Sequence, residues 1–415
     1  RFSMPSPRHR SAARSAVVAA AERRRGIPSP ADLVARLLVP AAVLLTALLA
    51  ALLTLTSGCA APPADDAEAP TGETSPAAEA AAGYAREAVV FEDMASELGG
   101  LFAEGAELEV LAEGFSWSEG PVWIPDGDFL LFSDVPQDTV FRWSEANGLE
   151  PWLNPSGFTG DGEPGREPGA NGLYLDADGQ LLMCQHGDRR VARLDAAVTD
   201  GPFLGPFDDG APYATLVDSF DGKRFNSPND LVVHADGSIY FTDPPYGLRD
   251  ESERELPHHG VYRVVPGDAA SLLHGELTRP NGVALSPDGS ALYVANSDPE
   301  AALWMRWPML DDGSLGEGTV LFDATSKVSD ERPGLPDGMA VDTAGRIYAT
   351  GPGGLWIFSD DGRHLGTVRL PDPTANVTFG GADRSTLYIT SNHRLLRLET
   401  TATGVALESG AGPDA

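Results

Sequence analysis

The chain has 415 residues, with 29 Lys and Arg against 61 Asp and Glu and a net charge of −32. Its first 58 residues carry eight Arg against Glu22 and Asp32, so residues 59–415 hold a still larger negative excess of 38. A surface of that sign repels nucleic acid and anionic lipid and attracts cations, and two cysteines, Cys59 and Cys184, supply no disulfide framework.

Residues 1–58 read as an export segment. From Leu37 to Gly58 no residue is charged, and the run follows Arg23, Arg24, Arg25 and Arg36, a basic region ahead of an apolar one. It ends at Thr-Ser-Gly-Cys, which resembles a bacterial lipoprotein cleavage site with Cys59 as the lipidated residue. The alternative is an uncleaved anchor, since 22 uncharged residues suffice to span a bilayer. Both place the folded part outside the cytoplasm, anchored to a membrane on its periplasmic or outer side. Residues 59–88, rich in Ala, Pro, Glu and Thr, are expected to form a disordered tether, and residues 89–415 a single folded domain.

Within that domain one short pattern recurs six times: EGPVWIPDG from Glu119, NGLYLDADG from Asn171, NDLVVHADG from Asn229, NGVALSPDG from Asn281, DGMAVDTAG from Asp337 and NVTFGGADR from Asn376. Each copy joins an apolar stretch to a turn seven residues on, which is Asp in five copies and Ala344 in the other. Asp-Gly tolerates the positive φ of tight hairpin turns. The returning strands FLLFSD, QLLMCQH, SIYFTD, ALYVANS, RIYATG and TLYITSN are followed by VFRW, RVARLD, GVYRVV, LWMRW, GLWIF and LLRLE. Three or four strands per unit, without an amphipathic helix, predict an all-β six-bladed propeller. The heads are 52, 58, 52, 56 and 39 residues apart and 39 residues follow the last one. The sixth unit therefore lacks a strand, and AELEVLAEGF (106–115) is the natural segment to supply it.

In a propeller the first strand of each blade lines the central channel, so the six heads form a ring at one mouth. Singly, each Asn-Gly reads as a turn. Together, two carboxylates and four amides without His or Cys read as an oxygen site for Ca²⁺ or another divalent cation, because adjacent buried carboxylates are costly without one. Zn²⁺ prefers His or Cys.

At these residues the chain resembles the senescence-marker-protein/gluconolactonase family of six-bladed calcium-dependent propellers. The resemblance rests on EGPVW, GREPGANGL, SPNDLVV, IYFTDPPYGL, RPNGVALSPDG, LPDGMAVD and TFGGADRSTLYIT. It implies a catalytic Ca²⁺ held by Glu119, Asn229, Asn281 and Asp337, with Asn171 and Asn376 facing the substrate or a second layer. It also implies hydrolysis of a sugar lactone: the metal polarises the carbonyl, activates water and stabilises the oxyanion, and Asp337 serves as base or nucleophile. Arg166, Glu167 and Tyr246 lie in stretches resembling entrance loops that contact sugar hydroxyls. His186 and His393 end second strands, where each could bond substrate, move a proton or serve structure alone. His258-His259 reads as an exposed loop and Cys184 as inert core. Two other readings are a non-catalytic propeller binding a sugar or protein around a structural ion, and a phosphotriester or ester hydrolase on the same metal.

Overall fold

The computed structural model describes residues 83–207 and 210–406, so the export segment, Cys59 and most of the tether lie outside the described residues, as do residues 407–415. Among the described residues no helix is long and apolar enough to cross a membrane.

Each repeat folds as one antiparallel sheet whose first strand carries the apolar body of the pattern. The six inner strands are Ser118–Ile124, Ala170–Leu175, Leu231–Val233, Pro280–Leu285, Met339–Val341 and Asn376–Gly380, and each pairs with the strand that follows it. The repeat-turn residues fall between those strands, with Gly179, Gly237, Gly289 and Gly345 at positive φ. The hairpin reading of the pattern is therefore the observed one. Six sheets of four or five strands make the six-bladed propeller expected from the repeats.

The core lies between blades. Alternating apolar residues of adjacent sheets interdigitate across the gap, as facing sheets do. Trp143, Trp152, Trp304 and Trp356 are fully buried, and Tyr348 of blade 5 meets Phe379 of blade 6 edge-on, ring centres 5.0 Å apart. Cys184 is a buried free thiol in the same apolar layer, as expected.

The ring closes through the segment ahead of the first repeat. Glu107–Glu113 pairs antiparallel with Arg394–Glu399 and completes blade 6, setting Glu113 opposite Arg394 and Glu109 opposite Arg397. Beyond it the structure corrects the tether boundary: Ala85–Ala88 is a fifth strand of blade 6, opposite Glu107–Val110. The polar composition that argued for disorder is met there by charge pairing at a sheet edge. Arg86 reaches Glu109 at 2.7 Å, and Glu87 pairs with Arg394 at 2.9 Å. Val90–Glu92 then crosses to blade 5 as its fifth strand.

Candidate active site

The six heads do converge. In blades 1, 2 and 4 the inner strand breaks register at the head, between Glu119 and Val122, Ala170 and Leu173, and Pro280 and Val283. Such a bulge re-aims a side chain. Asn171 Nδ2 donates to Asn229 Oδ1 at 3.1 Å, and Asn229 Nδ2 donates to Asn281 Oδ1 at 2.6 Å. On the other side Asn376 Nδ2 lies 3.5 Å from Glu119 Oε2. All six heads are buried.

The glycine after a head admits the next blade. A Cβ on Gly120 would sit 2.0 Å from the Asn171 carbonyl oxygen, and one on Gly282 would sit 2.2 Å from that of Asp337. These head glycines thus serve close approach of neighbouring strands rather than a turn. Second-strand hydroxyls fasten the same contact from the outside. Ser133 of blade 1 donates to the Asn171 carbonyl at 2.9 Å, and Thr242 of blade 3 donates to that of Asn281 at 2.6 Å. The next residue along holds its own blade: Asp134 accepts the amides of Ser116 and Trp117, and Asp243 those of Asn226 and Ser227.

Asp230 is a site carboxylate the repeat reading passed over. It occupies the position after Asn229, where four of the other heads have Gly, and its Oδ2 accepts the Val283 amide of blade 4 at 3.0 Å. The signal was the single NDL among the NGL-like copies. Trp117 was missed as well; its indole N–H donates to Glu119 Oε1 at 3.2 Å.

The electrostatics are those of an uncompensated cluster of buried acids. Burial raises Glu119, with Asp230 adding to the shift and the Trp117 bond opposing it. Asp337 is raised by burial first, then by Glu119, Asp230 and Glu167, while Asp230 is pushed up to about 7 by burial. Among the described residues Glu119, Asp230 and Asp337 form no ion pair with Lys or Arg, and the Oδ1 atoms of Asp337 and Asn171 are buried without a hydrogen-bond partner. Buried polar atoms are ordinarily paired. This donor set, carboxyl groups and amides with Asp337 Oδ1 left open, fits a hard divalent cation.

The remaining expected residues separate. His186 is fully buried, with Nε2 3.1 Å from Asn229 Oδ1 and Nδ1 3.6 Å from Glu167 Oε2. It faces the ring amide rather than open solvent. Glu167 is partly exposed and raised to about 7 by burial. Tyr246 is partly buried and its phenol is raised by burial and then by Asp337. Arg166 is exposed and donates Nε to the Arg249 carbonyl at 3.0 Å. His393 sits at an outer hairpin with an exposed side chain, and its carbonyl accepts the Gly114 amide at 2.9 Å. His258 and His259 lie in a loop, half-buried rather than exposed: His258 meets the Tyr262 hydroxyl at 2.9 Å and His259 meets the Thr278 carbonyl.

The model of the SMP-30/Gluconolactonase/LRE-like region matches residues 117–393, from the tryptophan beside Glu119 to the last outer hairpin. The chain belongs to the SMP-30/gluconolactonase family. Among its relatives is a gluconolactonase of Zymomonas mobilis subsp. mobilis, 38% identical over 305 residues, which are 72% of this chain and 82% of the relative. A pentonolactonase of Haloferax volcanii is 29% identical over 277 residues, covering 66% of this chain and 80% of its own length. The solved gluconolactonase of Xanthomonas campestris superposes with a TM-score of 0.63 at 31% identity, over 77% of this chain and 96% of that one.

Proposed function

We propose that this propeller hydrolyses a sugar lactone with a divalent cation, best matched by Ca²⁺, held by Glu119, Asn229, Asn281 and Asp337. That it is a lactone-hydrolysing enzyme, a carboxylic ester hydrolase, follows from its family and its lactonase relatives. The finer reading is carried by one observation: Asp337 Oδ1 is buried and unpartnered beside a second buried carboxylate, and among the described residues no cationic side chain meets either.

When bound, such an ion supplies a Lewis acid that polarises the lactone carbonyl and acidifies water. The chain's own groups do the rest. The Asp337 carboxylate receives the proton of the attacking water; the water oxygen bonds to the carbonyl carbon, the ring C–O bond breaks, and the departing oxygen takes that proton back from Asp337, leaving an open hydroxy acid. Trp117 fixes Glu119, and the Asn229 Nδ2 donor fixes the Asn281 amide. Asn171 and Asn376 border the reacting position, and Glu167, Arg166 and Tyr246 are assigned to the sugar hydroxyls.

The test is turnover of a lactone panel with and without chelator, alongside Asp337→Asn and Glu119→Gln. Activity that survives chelation, or both substitutions, ends the metal reading. Cation binding without turnover of any lactone or phosphotriester would instead make the ring a binding module. The same proposal places the enzyme outside the cytoplasm on a lipid at Cys59, supported by the apolar run ahead of it. Radiolabelled palmitate that enters the wild type equally with Cys59→Ser would refute this.

A further inference from the structure

Two donors converge on the side-chain oxygen of Asn229, and they are of different kinds. Asn171 is itself a ring member, and its own Oδ1 is unpartnered. His186 comes from the second strand of blade 2 and has no accessible surface. Its backbone amide bonds the Gly169 carbonyl at 3.2 Å, and Gly247 packs so close that a Cβ there would lie 2.7 Å from the His186 Cβ, which holds the root of the side chain in place.

The bonding order puts a hydrogen on Nε2. Asn229 Nδ2 is committed to Asn281 Oδ1 at 2.6 Å, so Oδ1 is the atom facing His186, and Nε2 must carry the hydrogen. Nδ1 lies on the Glu167 side, 3.6 Å from Oε2.

Glu167 is presented to it by a fastened loop. Asp138 Oδ1 accepts the amides of Ser156 at 2.9 Å and Gly157 at 2.7 Å, and Asp188 accepts that of Thr159 at 3.0 Å. At the far end the Gly187 amide donates to the Pro168 carbonyl at 3.1 Å.

We propose that His186 is a positioning residue: its Nε2–H sets the orientation of the Asn229 amide and thereby the affinity of the ring for its cation. This deepens the lactonase reading and rests on it for the ion. A carbonyl oxygen has two acceptor positions, and an ion at Asn229 Oδ1 needs one of them. Of the two donors, Asn171 lies in the channel and His186 is locked in the core, so His186 is the one that defines where the amide points. Partners of this kind, behind a ligand, typically set metal affinity by about 10–100-fold.

The experiment is calcium calorimetry on the wild type, His186→Phe and His186→Gln, with thermal melts in chelator to establish folding. We expect His186→Phe to lose about 10–100-fold in calcium affinity, and His186→Gln, which can still donate N–H to Asn229, to recover most of it. A folded His186→Phe that binds calcium as tightly as the wild type overturns the proposal. So does a His186→Gln as weak as His186→Phe. Independently of any metal, long-range ¹H–¹⁵N spectra of the chelator-treated wild type should show His186 protonated on Nε2; protonation on Nδ1 alone overturns it even if both variants fail to fold. Wild type that binds no calcium, and whose lactone hydrolysis resists chelator, defeats the ring reading along with this one. Calcium binding retained by wild type and His186→Phe alike defeats this one alone.

Discussion

Thr350 in blade 5 donates its hydroxyl to the carbonyl of Ala375 in blade 6 at 2.8 Å. Ala375 immediately precedes the head Asn376, so the position of that head is set by the neighbouring blade as well as by its own. With Ser133 on Asn171 and Thr242 on Asn281, the ring is indexed by one hydroxyl per blade junction at three junctions.

Thr350→Val and Thr242→Val keep the shape and strand preference of the side chain but remove a buried donor; the Ala375 carbonyl keeps the Gly338 amide at 2.8 Å. Each is expected to cost about 0.5–1.5 kcal/mol in urea denaturation and to weaken calcium binding. Thr242→Ser retains the donor and should restore affinity more than stability, because only the methyl is lost. A Thr242→Val protein with wild-type calcium affinity would remove the hydroxyl from the account of the site.

Glu119→Gln and Asp337→Asn are expected to move stability and activity in opposite directions. Each removes a buried charge that its neighbour repels, so the chelator-treated variant should melt higher than the chelator-treated wild type. Each also removes an anionic ligand, so lactone turnover should fall by about 10²-fold or more. Melting curves in chelator, paired with initial rates at saturating calcium, separate the two effects.

The pH dependence follows from the same burial. Asp230 is raised from its ordinary value of 3.8 to about 7 and Glu119 from 4.5 to about 8. A group raised on folding contributes stability that is complete below its unfolded pKa and is lost as pH climbs through the folded one. Metal-free protein should therefore become less stable between about pH 4 and pH 8. Saturating calcium supplies the missing positive charge and should flatten that slope. A metal-free protein whose melting temperature rises across this interval would contradict the buried, unpaired state of these carboxylates.

Gly282→Ala places a methyl 2.2 Å from the Asp337 carbonyl oxygen and 2.8 Å from the Gly338 Cα. Backbone cannot step aside as a flexible side chain can, so overpacking of about 1–3 kcal/mol is expected, with loss of turnover as Asp337 is displaced. Gly237→Ala is a useful contrast: it has open space around it but a φ of +83°, so it should cost stability while leaving turnover intact.

The architecture was legible because the hairpin turn sits seven residues after every head, so inner and returning strands, the six-blade count and the closing segment all followed from one register. The ring followed too, since equivalent positions in a closed repeat must face one another. Asp230 was not legible because the pattern weighed only the first letter of each copy, and its carboxylate stands at the second. The role of His186 depended on a contact between residues 43 apart on different blades, which spacing alone does not encode. His393 matched His186 in position along its strand, yet the sixth-blade hairpin leaves it exposed. Ala85–Ala88 was lost in the tether because its stabilising partners, Glu109 and Arg394, are supplied by blade 6.

The strand that closes the ring comes before every blade in the chain, whereas the strand it pairs with comes from the last repeat. During synthesis from the N-terminus, Glu107–Glu113 leaves the ribosome with only Ala85–Ala88 to pair with, and its other edge stays open until Arg394–Glu399 has been made. An unpaired strand edge is an aggregation hazard over that interval. Its sequence, ELEVLAE, carries Glu107, Glu109 and Glu113 among its apolar residues. Those charges keep neighbouring nascent chains apart before assembly, and afterwards Glu109 is taken up by Arg397 and Arg86.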